Sequence, residues 1–483
     1  MINVFAFNGY PVAVFGLGCS GLSAAKALHE SGAEVWAWDD NEETRQRAAD
    51  IDIPLVNLYT CDWNLCSTLV LSPGIPHTYP KPHPIVVTAR DVKVEIICDI
   101  ELLARSQRMS NYIGITGTNG KSTTTALIGH ILLITGKKAE IGGNFGIPVL
   151  DLEPLGETDL YVLEMSSYQL ERTVSLTYDF AVLLNISVDH LERHGGMDGY
   201  IKAKKLIFHR QTYPRTAVIG VDDPYCEAIY TDLKDIGDQA IVPISGSKRV
   251  HGGVYVIDGV LIDDTDGHEI PVTDLNNIPS LPGVHNWQNA AAAYAITKAV
   301  GVQPHAIMAC LQSYPGLVHR QEAVEIVDGV SFVNDSKATN ANATAKALVC
   351  YENIYWIVGG LSKDGGLGEL EIHLGDVRHA FLIGESEVEF EKFLYGKVSV
   401  TMAGNLETAT IKAFEMAKQA DEAKPVVLLS PACASFDQFS SFEERGYAFK
   451  SLVEALPGEH QDPFEEVGLF PIKQRTQSAG ETA

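Results

Sequence analysis

The chain is short of positive charge. Its 483 residues carry 36 Lys and Arg against 62 Asp and Glu, a formal net charge of −26. A surface of that sign repels nucleic acid and anionic membranes, so neither is expected as a partner. Long apolar runs are missing as well. The best of them, ALIGHILLI (126–134), is too short to span a bilayer and contains His130. The eight cysteines form no C-x-x-C pair; Cys61 and Cys66 are the nearest couple, and Cys433 lies in an apolar stretch. Buried free thiols in a reducing compartment are the expectation. The first residues, MINVFAFNGYPVAVFG, have no basic start of a signal peptide and run directly into a strand pattern. A cytoplasmic, soluble protein is expected.

What the chain does have is regular alternation. Short apolar runs alternate with longer helical patterns almost throughout, which predicts α/β architecture with mostly parallel sheets. The length calls for two to four domains. A first zone, to about residue 105, holds strands at VAVFG, EVWAWD and TLVLSPG. A polar link at 106–110 leads into a second zone, to about 315, with YIGIT, LYVLEMSS, FAVLLNIS and TAVIGVDD. A third zone, 316–483, has strands at VSFVND, IYWIVGG, AFLIGE and VVLLSPA. Its tail after about 470 has no apolar period and is expected to fray.

Two loops carry chemistry. In 12-VAVFGLGCSGLSAAKAL-28 a strand enters G-x-G-x-x-G (Gly16, Gly18, Gly21) and then a helix, and Asp39 ends the next strand. Small residues let backbone approach a pyrophosphate at a helix N-terminus. A dehydrogenase would show the same pattern, and a ligand-free tight turn would use the same glycines. In 112-YIGITGTNGKSTTTAL-127 the strict phosphate-loop pattern fails, because Ile115 stands where the first Gly should be. The local chemistry is nonetheless that of a nucleotide site. Gly117 and Gly120 let successive N–H groups face one anion, Lys121 adds a cation, and Ser122 offers a hydroxyl to Mg²⁺.

Mg²⁺ needs hard oxygen ligands, and Glu164 at the end of LYVLE is a candidate. A buried glutamate without a partner would be costly to desolvate. His190 and His194 form H-x-x-x-H, but no third ligand is evident, so zinc is not expected. His190 beside a phosphate-bound metal is the better reading, and His194 is expected at the surface. Lys202, Lys204 and Lys205 follow Tyr200 on one helix; Lys202 and Lys205 read as a solvated face. His77 and His83, in HTYPKPHP, read as loop residues.

The strings GITGTNGKSTTT, EMSSYQLE, LNISVDHLERHG, GVHNWQNAAAA, LVHRQE and NDSKATN, in that order, resemble the Mur ligases. EMSSYQLE and LLSPACASFDQFSSFEERG are similar to the branch that adds D-glutamate to UDP-N-acetylmuramoyl-L-alanine. The resemblance implies an ATP-dependent amide ligase. Its three domains would be a Rossmann-like UDP-sugar domain (1–105), a P-loop ATPase domain (106–315) and a Rossmann-like amino-acid domain (316–483). It makes Ile115 normal for this version of the loop. It implies ATP contacts at Gly117, Thr118, Asn119, Gly120, Lys121, Ser122, Thr123, Asn286, Asn289, Arg320, Asp335 and Lys337. For the UDP substrate it implies Gly18, Cys19, Ser20, Ser72, Pro73, Gly74, Asn144 and His190. For D-glutamate it implies Thr339, Lys363, Ser435, Phe436 and Phe442.

Lys204 matches a lysine that the family carbamoylates, turning a cation into a carboxylate. Two Mg²⁺ sites are then expected, drawing on Ser122, Glu164, His190 and modified Lys204, with Lys121 and Arg320 on the transferring phosphoryl group. A monomer is expected. The chain departs from the family's pattern at Gly220, where Asn is expected, at Asp40-Asn41 in place of Thr-Arg, and at Phe436 in place of Leu. Three alternatives remain open from the residues: another Mur-type ligase with a different amino acid, an NAD-dependent oxidoreductase built on the first zone, and a nucleotide-binding regulator without turnover.

Overall fold

A computed structural model describes residues 1–362, 366–420 and 422–465, with the side chain of residue 369 excepted. Within these residues the chain forms two compact units. One comprises Met1–Tyr255, Asp263–Glu269 and Gln288–Ile307; the other comprises Val256–Ile262, Ile270–Trp287 and the described residues from Met308 onward. The fraying predicted after residue 470 concerns residues outside those described.

The first unit holds two parallel sheets. Four strands lie in the order Glu34–Trp38, Pro11–Phe15, Thr68–Leu71, Glu95–Ile97. Every pairing among them is parallel. In the second sheet, six strands of this unit lie in the order Ala240–Ser245, Thr216–Gly220, Phe180–Leu183, Asn111–Thr116, Leu160–Glu164, Ala139–Gly143. These also pair in parallel throughout. Strands covered on both faces read as unbroken apolar runs, which is why VAVF, YIGI, LYVL and AVLL stood out in the sequence. The helix Asp99–Ser106 takes in the start of the predicted link. Its buried Glu101 accepts the main-chain N–H groups of Val174 (2.8 Å) and Ser175 (2.9 Å), tying the first sheet's layer to the second's.

The second unit holds a seven-stranded sheet in the order Ser399–Gly404, Val377–Ile383, Ile354–Gly359, Val426–Leu429, Val330–Asn334, Glu322–Val327, His460–Gln461. The first five strands are parallel, and the last two pair antiparallel, at one edge. In open parallel sheets ligands collect at the carboxyl ends of the strands. Each of the three sheets presents its sequence-predicted loop there.

Close packing explains two glycines. A Cβ at Gly21 would lie 1.8 Å from the Gly16 carbonyl oxygen, so the helix Cys19–Glu30 can approach its own strand only without one. Gly220, where Asn was expected, would set a Cβ 1.9 Å from the carbonyl of Leu184. A backbone carbonyl cannot swing aside as a side-chain tip can. Gly21→Ala is therefore expected to destabilise the protein by about 1–3 kcal/mol, read as a lower denaturant midpoint at unchanged slope. A midpoint equal to that of the unaltered protein would contradict this packing.

Candidate active site

The phosphate loop leaves the strand Asn111–Thr116 and enters the helix Lys121–Ile134 through Gly120, whose φ of 85° is left-handed. A loop whose N–H groups are to face an anion cannot hold itself by its own ladder. Its neighbours hold it instead. Thr118 N–H donates to the Asn185 carbonyl (2.8 Å). The Asn185 amide takes Asn119 N–H on its oxygen (2.9 Å) and returns a bond from Nδ2 to the Asn119 carbonyl (3.2 Å). Its Nδ2 also donates to Gln288, which in turn donates to Asp222. Asn289 accepts from the Thr124 hydroxyl at 3.2 Å, and a Cβ on Gly120 would collide with it. Lys121 folds back, Nζ donating to the carbonyls of Gly117 and Thr118, both at 2.9 Å. Thr123 is buried in the first turn of the helix, with Ser122 half-buried beside it.

Glu164 ends its strand next to this loop and is 2 % exposed. One carboxylate oxygen accepts from Asn144 Nδ2 (2.9 Å), whereas Oε2 has no hydrogen-bond partner among the described residues. A buried carboxylate oxygen without a donor fits a site that receives a cation. Among the described residues no group of three His, Cys, Asp or Glu side chains gathers to hold a metal.

Lys204 is 1 % exposed, and its Nζ donates to Gly117 O (2.7 Å) and Thr116 Oγ1 (3.3 Å). Burial, and then the nearby charge of Lys121, hold its ammonium well below the usual lysine range. His190 begins the one-turn helix Leu191–His194 at a left-handed φ of 50°. Burial lowers the pKa of its ring against the pull of Asp189, and its ring lies beside that of Tyr168.

The glycine loop of the first sheet is closed from behind. Leu17 N–H donates to Asp39 Oδ2 (2.6 Å) and Asn41 N–H to Asp39 Oδ1 (2.8 Å). Both oxygens of the acidic residue thus hold main chain. Asp40 accepts from Tyr59 and meets His83, and Asn41 caps the next helix. Gly18 caps the helix that starts at Cys19, with Ser20 next; Cys19 is exposed, unlike the buried thiols expected. The Ser72 hydroxyl donates to the Gly16 carbonyl (2.6 Å), joining the two halves of the predicted substrate path. Pro73 and Gly74 follow in the same loop, and two arginines seize its carbonyls: Arg172 on Ser72 (3.3 Å) and Arg193 on Gly74 (3.0 Å).

In the second unit the predicted segments converge around Arg445, which is 1 % exposed. It donates to Ser336 Oγ (3.0 Å), Ser336 O (2.8 Å) and Cys433 O (3.1 Å), fastening NDSK to SPACAS. Asp335 accepts from Ser430 and from Gln321 N–H beside Arg320. Lys337 Nζ lies 5.2 Å from the Phe442 ring centre, and Lys337 O accepts Thr339 N–H. Ser435 is buried, while Phe436 is 70 % exposed. Asn286 donates to Pro282 O, holding the start of the helix Val284–Ala299. Lys363 lies outside the described residues.

A second expectation fails. His194 is not at the surface: it is 4 % exposed, hydrogen-bonded to Ser167 Oγ (2.9 Å) and stacked on Tyr168. A histidine one turn past His190 follows the helix inward, not outward. The residue reading also missed Asn185, Arg172, Arg193 and Arg445. Asn185 carried a signal, as the polar residue that ends an apolar strand on the ligand side of the sheet. The arginines carried none, because what they hold is far away in sequence.

A phosphate-type loop beside a buried carboxylate, with a second glycine-rich loop in the same unit, fits the class of enzymes that use ATP. Residues 115–297 match the Mur ligase middle domain. The chain is 49 % identical over 461 residues to the UDP-N-acetylmuramoylalanine–D-glutamate ligase of Rhodospirillum rubrum, covering 94 % of this chain and 97 % of that protein. It is 50 % identical over 462 residues to the ligase of the same name from Caulobacter sp. strain K31, covering 94 % and 98 %. The chain belongs to the Mur ligase family. Among solved structures it is similar to the UDP-N-acetylmuramate–alanine ligase of Thermotoga maritima, with a TM-score of 0.56 at 17 % identity over 92 % of this chain and 99 % of that one. A UDP-N-acetylmuramoyl-L-alanyl-D-glutamate–2,6-diaminopimelate ligase gives a TM-score of 0.52 at 18 % identity, covering 89 % and 88 %. The fold is thus the three-domain one: Rossmann-like, P-loop ATPase and Rossmann-like.

Burial raises the Asp335 carboxyl to about 7, against the hydrogen bonds from Ser430 and Gln321 and the charge of Arg320. A carboxyl raised on folding contributes stability that is complete below its unfolded pKa and is lost as pH rises through about 7. Asp335→Asn keeps the shape without the charge. Its melting temperature, relative to the unaltered protein, is expected to rise between pH 5 and pH 8. A difference that stays flat or falls over that range would contradict a buried, raised carboxyl.

Proposed function

We propose that the protein uses ATP to join D-glutamate to UDP-N-acetylmuramoyl-L-alanine in peptidoglycan precursor synthesis. The observation that carries this reading is the pair of anion loops in one unit, with the Glu164 oxygen left without a donor beside one of them. One loop takes the phosphates that are consumed and the other takes the phosphates that carry the substrate. The names of the half-identical relatives support D-glutamate as the amino acid. An oxidoreductase would leave the 117–123 loop without a task.

The substrate carboxylate attacks the γ-phosphorus of ATP, ADP leaves, and an acyl phosphate forms. The D-glutamate amine then attacks the acyl carbon, and phosphate departs with the oxygen that the carboxylate supplied. Two anions must meet in the first step. Lys121 and the loop N–H groups lower that repulsion and follow the charge on the transferring group. Arg320 and Lys337 take the γ-phosphoryl group, with Asp335, Asn286 and Asn289 on the nucleotide. Gly18, Cys19, Ser20, Ser72, Pro73, Gly74, Asn144 and His190 line the UDP-substrate path. Thr339, Lys363, Ser435, Phe436 and Phe442 receive D-glutamate.

Ser122, Glu164, His190 and Lys204 as its carbamate would hold two Mg²⁺. When bound, the metal supplies positive charge to the phosphate oxygens. A lysine whose ammonium is disfavoured by burial presents the free amine that reacts with carbon dioxide, losing a proton as the N–C bond forms. We place the domain borders at 1–105, 106–315 and 316–483, which the three sheets support. The same reading makes the protein a cytoplasmic monomer with small-molecule substrates and no nucleic-acid or membrane partner. No helix among the described residues is long and apolar enough to cross a membrane.

Lys121→Ala is expected to lower phosphate release by about 100-fold or more in a coupled assay with both substrates. Turnover near that of the unaltered protein would remove the loop from the mechanism. Lys204→Ala is expected to lose activity and to regain part of it on addition of short carboxylates. Full activity without any additive would exclude the carbamate.

A further inference from the structure

The one-turn helix Leu191–His194 sits between two left-handed residues, His190 (φ 50°) and Gly195 (φ 69°). A single turn has too few hydrogen bonds to set its own orientation. Its side chains must do so, and they lead in two directions. Towards the glycine-loop sheet, Arg193 donates to the Gly74 carbonyl (3.0 Å), and its guanidinium lies 4.5 Å from the centre of the Tyr168 ring. Tyr168 stacks on His194 with centroids 5.3 Å apart and planes 12° from parallel. His194 is anchored by Ser167 Oγ at 2.9 Å, with Glu171 3.5 Å from its other nitrogen. The second oxygen of Glu171 faces His77, which comes from the same stretch of chain as Gly74.

Towards the phosphate loop, His194 packs on Tyr200 with centroids 5.3 Å apart. The Tyr200 hydroxyl shares a hydrogen bond of 3.2 Å with Thr118 Oγ1, inside the loop. Gly195 and Gly199 leave no room for rearrangement: a Cβ on the first would meet the Tyr79 ring at 2.7 Å, and one on the second the His194 carbonyl at 1.9 Å. A continuous series of contacts therefore runs from Gly74 through Arg193, Tyr168, His194 and Tyr200 to Thr118. None of its four side chains is among those assigned above to catalysis or substrate binding.

We infer that His194 is a positioning residue that couples the two loops, so that the UDP substrate at Ser72–Gly74 orders Thr118 and its neighbours for ATP. This rests on the proposed function for the identity of the two ligands. Coupling of this kind is a measurable ratio of affinities, and it is reciprocal. His194 touches neither ligand loop directly; it acts through Tyr168 and Tyr200.

The test is calorimetric titration of the full chain with a non-hydrolysable ATP analogue and Mg²⁺, with and without saturating UDP-N-acetylmuramoyl-L-alanine. In the unaltered protein the substrate is expected to tighten analogue binding by about fivefold or more. In His194→Leu that factor is expected to fall below about twofold, while each ligand alone binds within about threefold of its normal affinity. His194→Phe keeps a ring between the two tyrosines and is expected to restore at least half of the coupling. A coupling in His194→Leu equal to that of the unaltered protein would overturn the inference. If His194→Leu does not fold, Arg193→Met, at a half-buried position of the same turn, is read in its place with the same loss expected and the same result overturning it. Binding of both ligands to the unaltered protein without coupling overturns the linkage alone; binding of neither overturns the functional reading with it.

Discussion

The Asn185 amide on Asn119 is the interaction on which the rest of the first unit depends. A phosphate loop must turn its N–H groups towards a ligand, and so gives up the main-chain partners that a strand or helix would provide. Asn185 supplies substitutes for both the N–H and the carbonyl of Asn119, at 2.9 and 3.2 Å. Gln288 and Asp222 then fix the amide's own orientation. Because Asn185 immediately follows the buried strand Phe180–Leu183 and Leu184, the loop inherits the rigidity of the sheet. Glu164, Lys204 and Tyr200 are held against the same frame, so groups distant in sequence meet at one loop.

The electrostatics follow from that arrangement. A chain with a net charge of −26 must receive two substrates that are themselves anionic. Bulk charge opposes this, and in the proposed function the loops offset it locally with their N–H groups and Lys121. Lys204 shows the limit of adding further cations. Buried beside Lys121, its ammonium is disfavoured, which favours the free amine.

Much of this was legible in the residues. Continuous apolar runs gave the parallel strands, and glycines at fixed offsets gave the two loops, because both depend on local geometry. Glu164 was legible for a different reason: a charged residue at the end of an apolar strand has to be doing something. Contacts between segments were not legible. Arg172, Arg193 and Arg445 each hold carbonyl groups of other segments, and nothing in their own neighbourhood marks them out. His194 was misplaced because an isolated H-x-x-x-H gives spacing but not the direction of the turn. Asp39 matched a dinucleotide pattern, yet both its oxygens hold main-chain N–H groups, a role that the pattern alone does not distinguish from ribose binding.

The central claim is that the substrate carboxylate becomes an acyl phosphate before the amide forms. It is tested most directly by labelling the L-alanyl carboxylate of UDP-N-acetylmuramoyl-L-alanine with ¹⁸O and following the label after turnover with ATP and D-glutamate. The account predicts one labelled oxygen in each inorganic phosphate released and none in the nucleotide product. Label in AMP, or phosphate released without label, would contradict it.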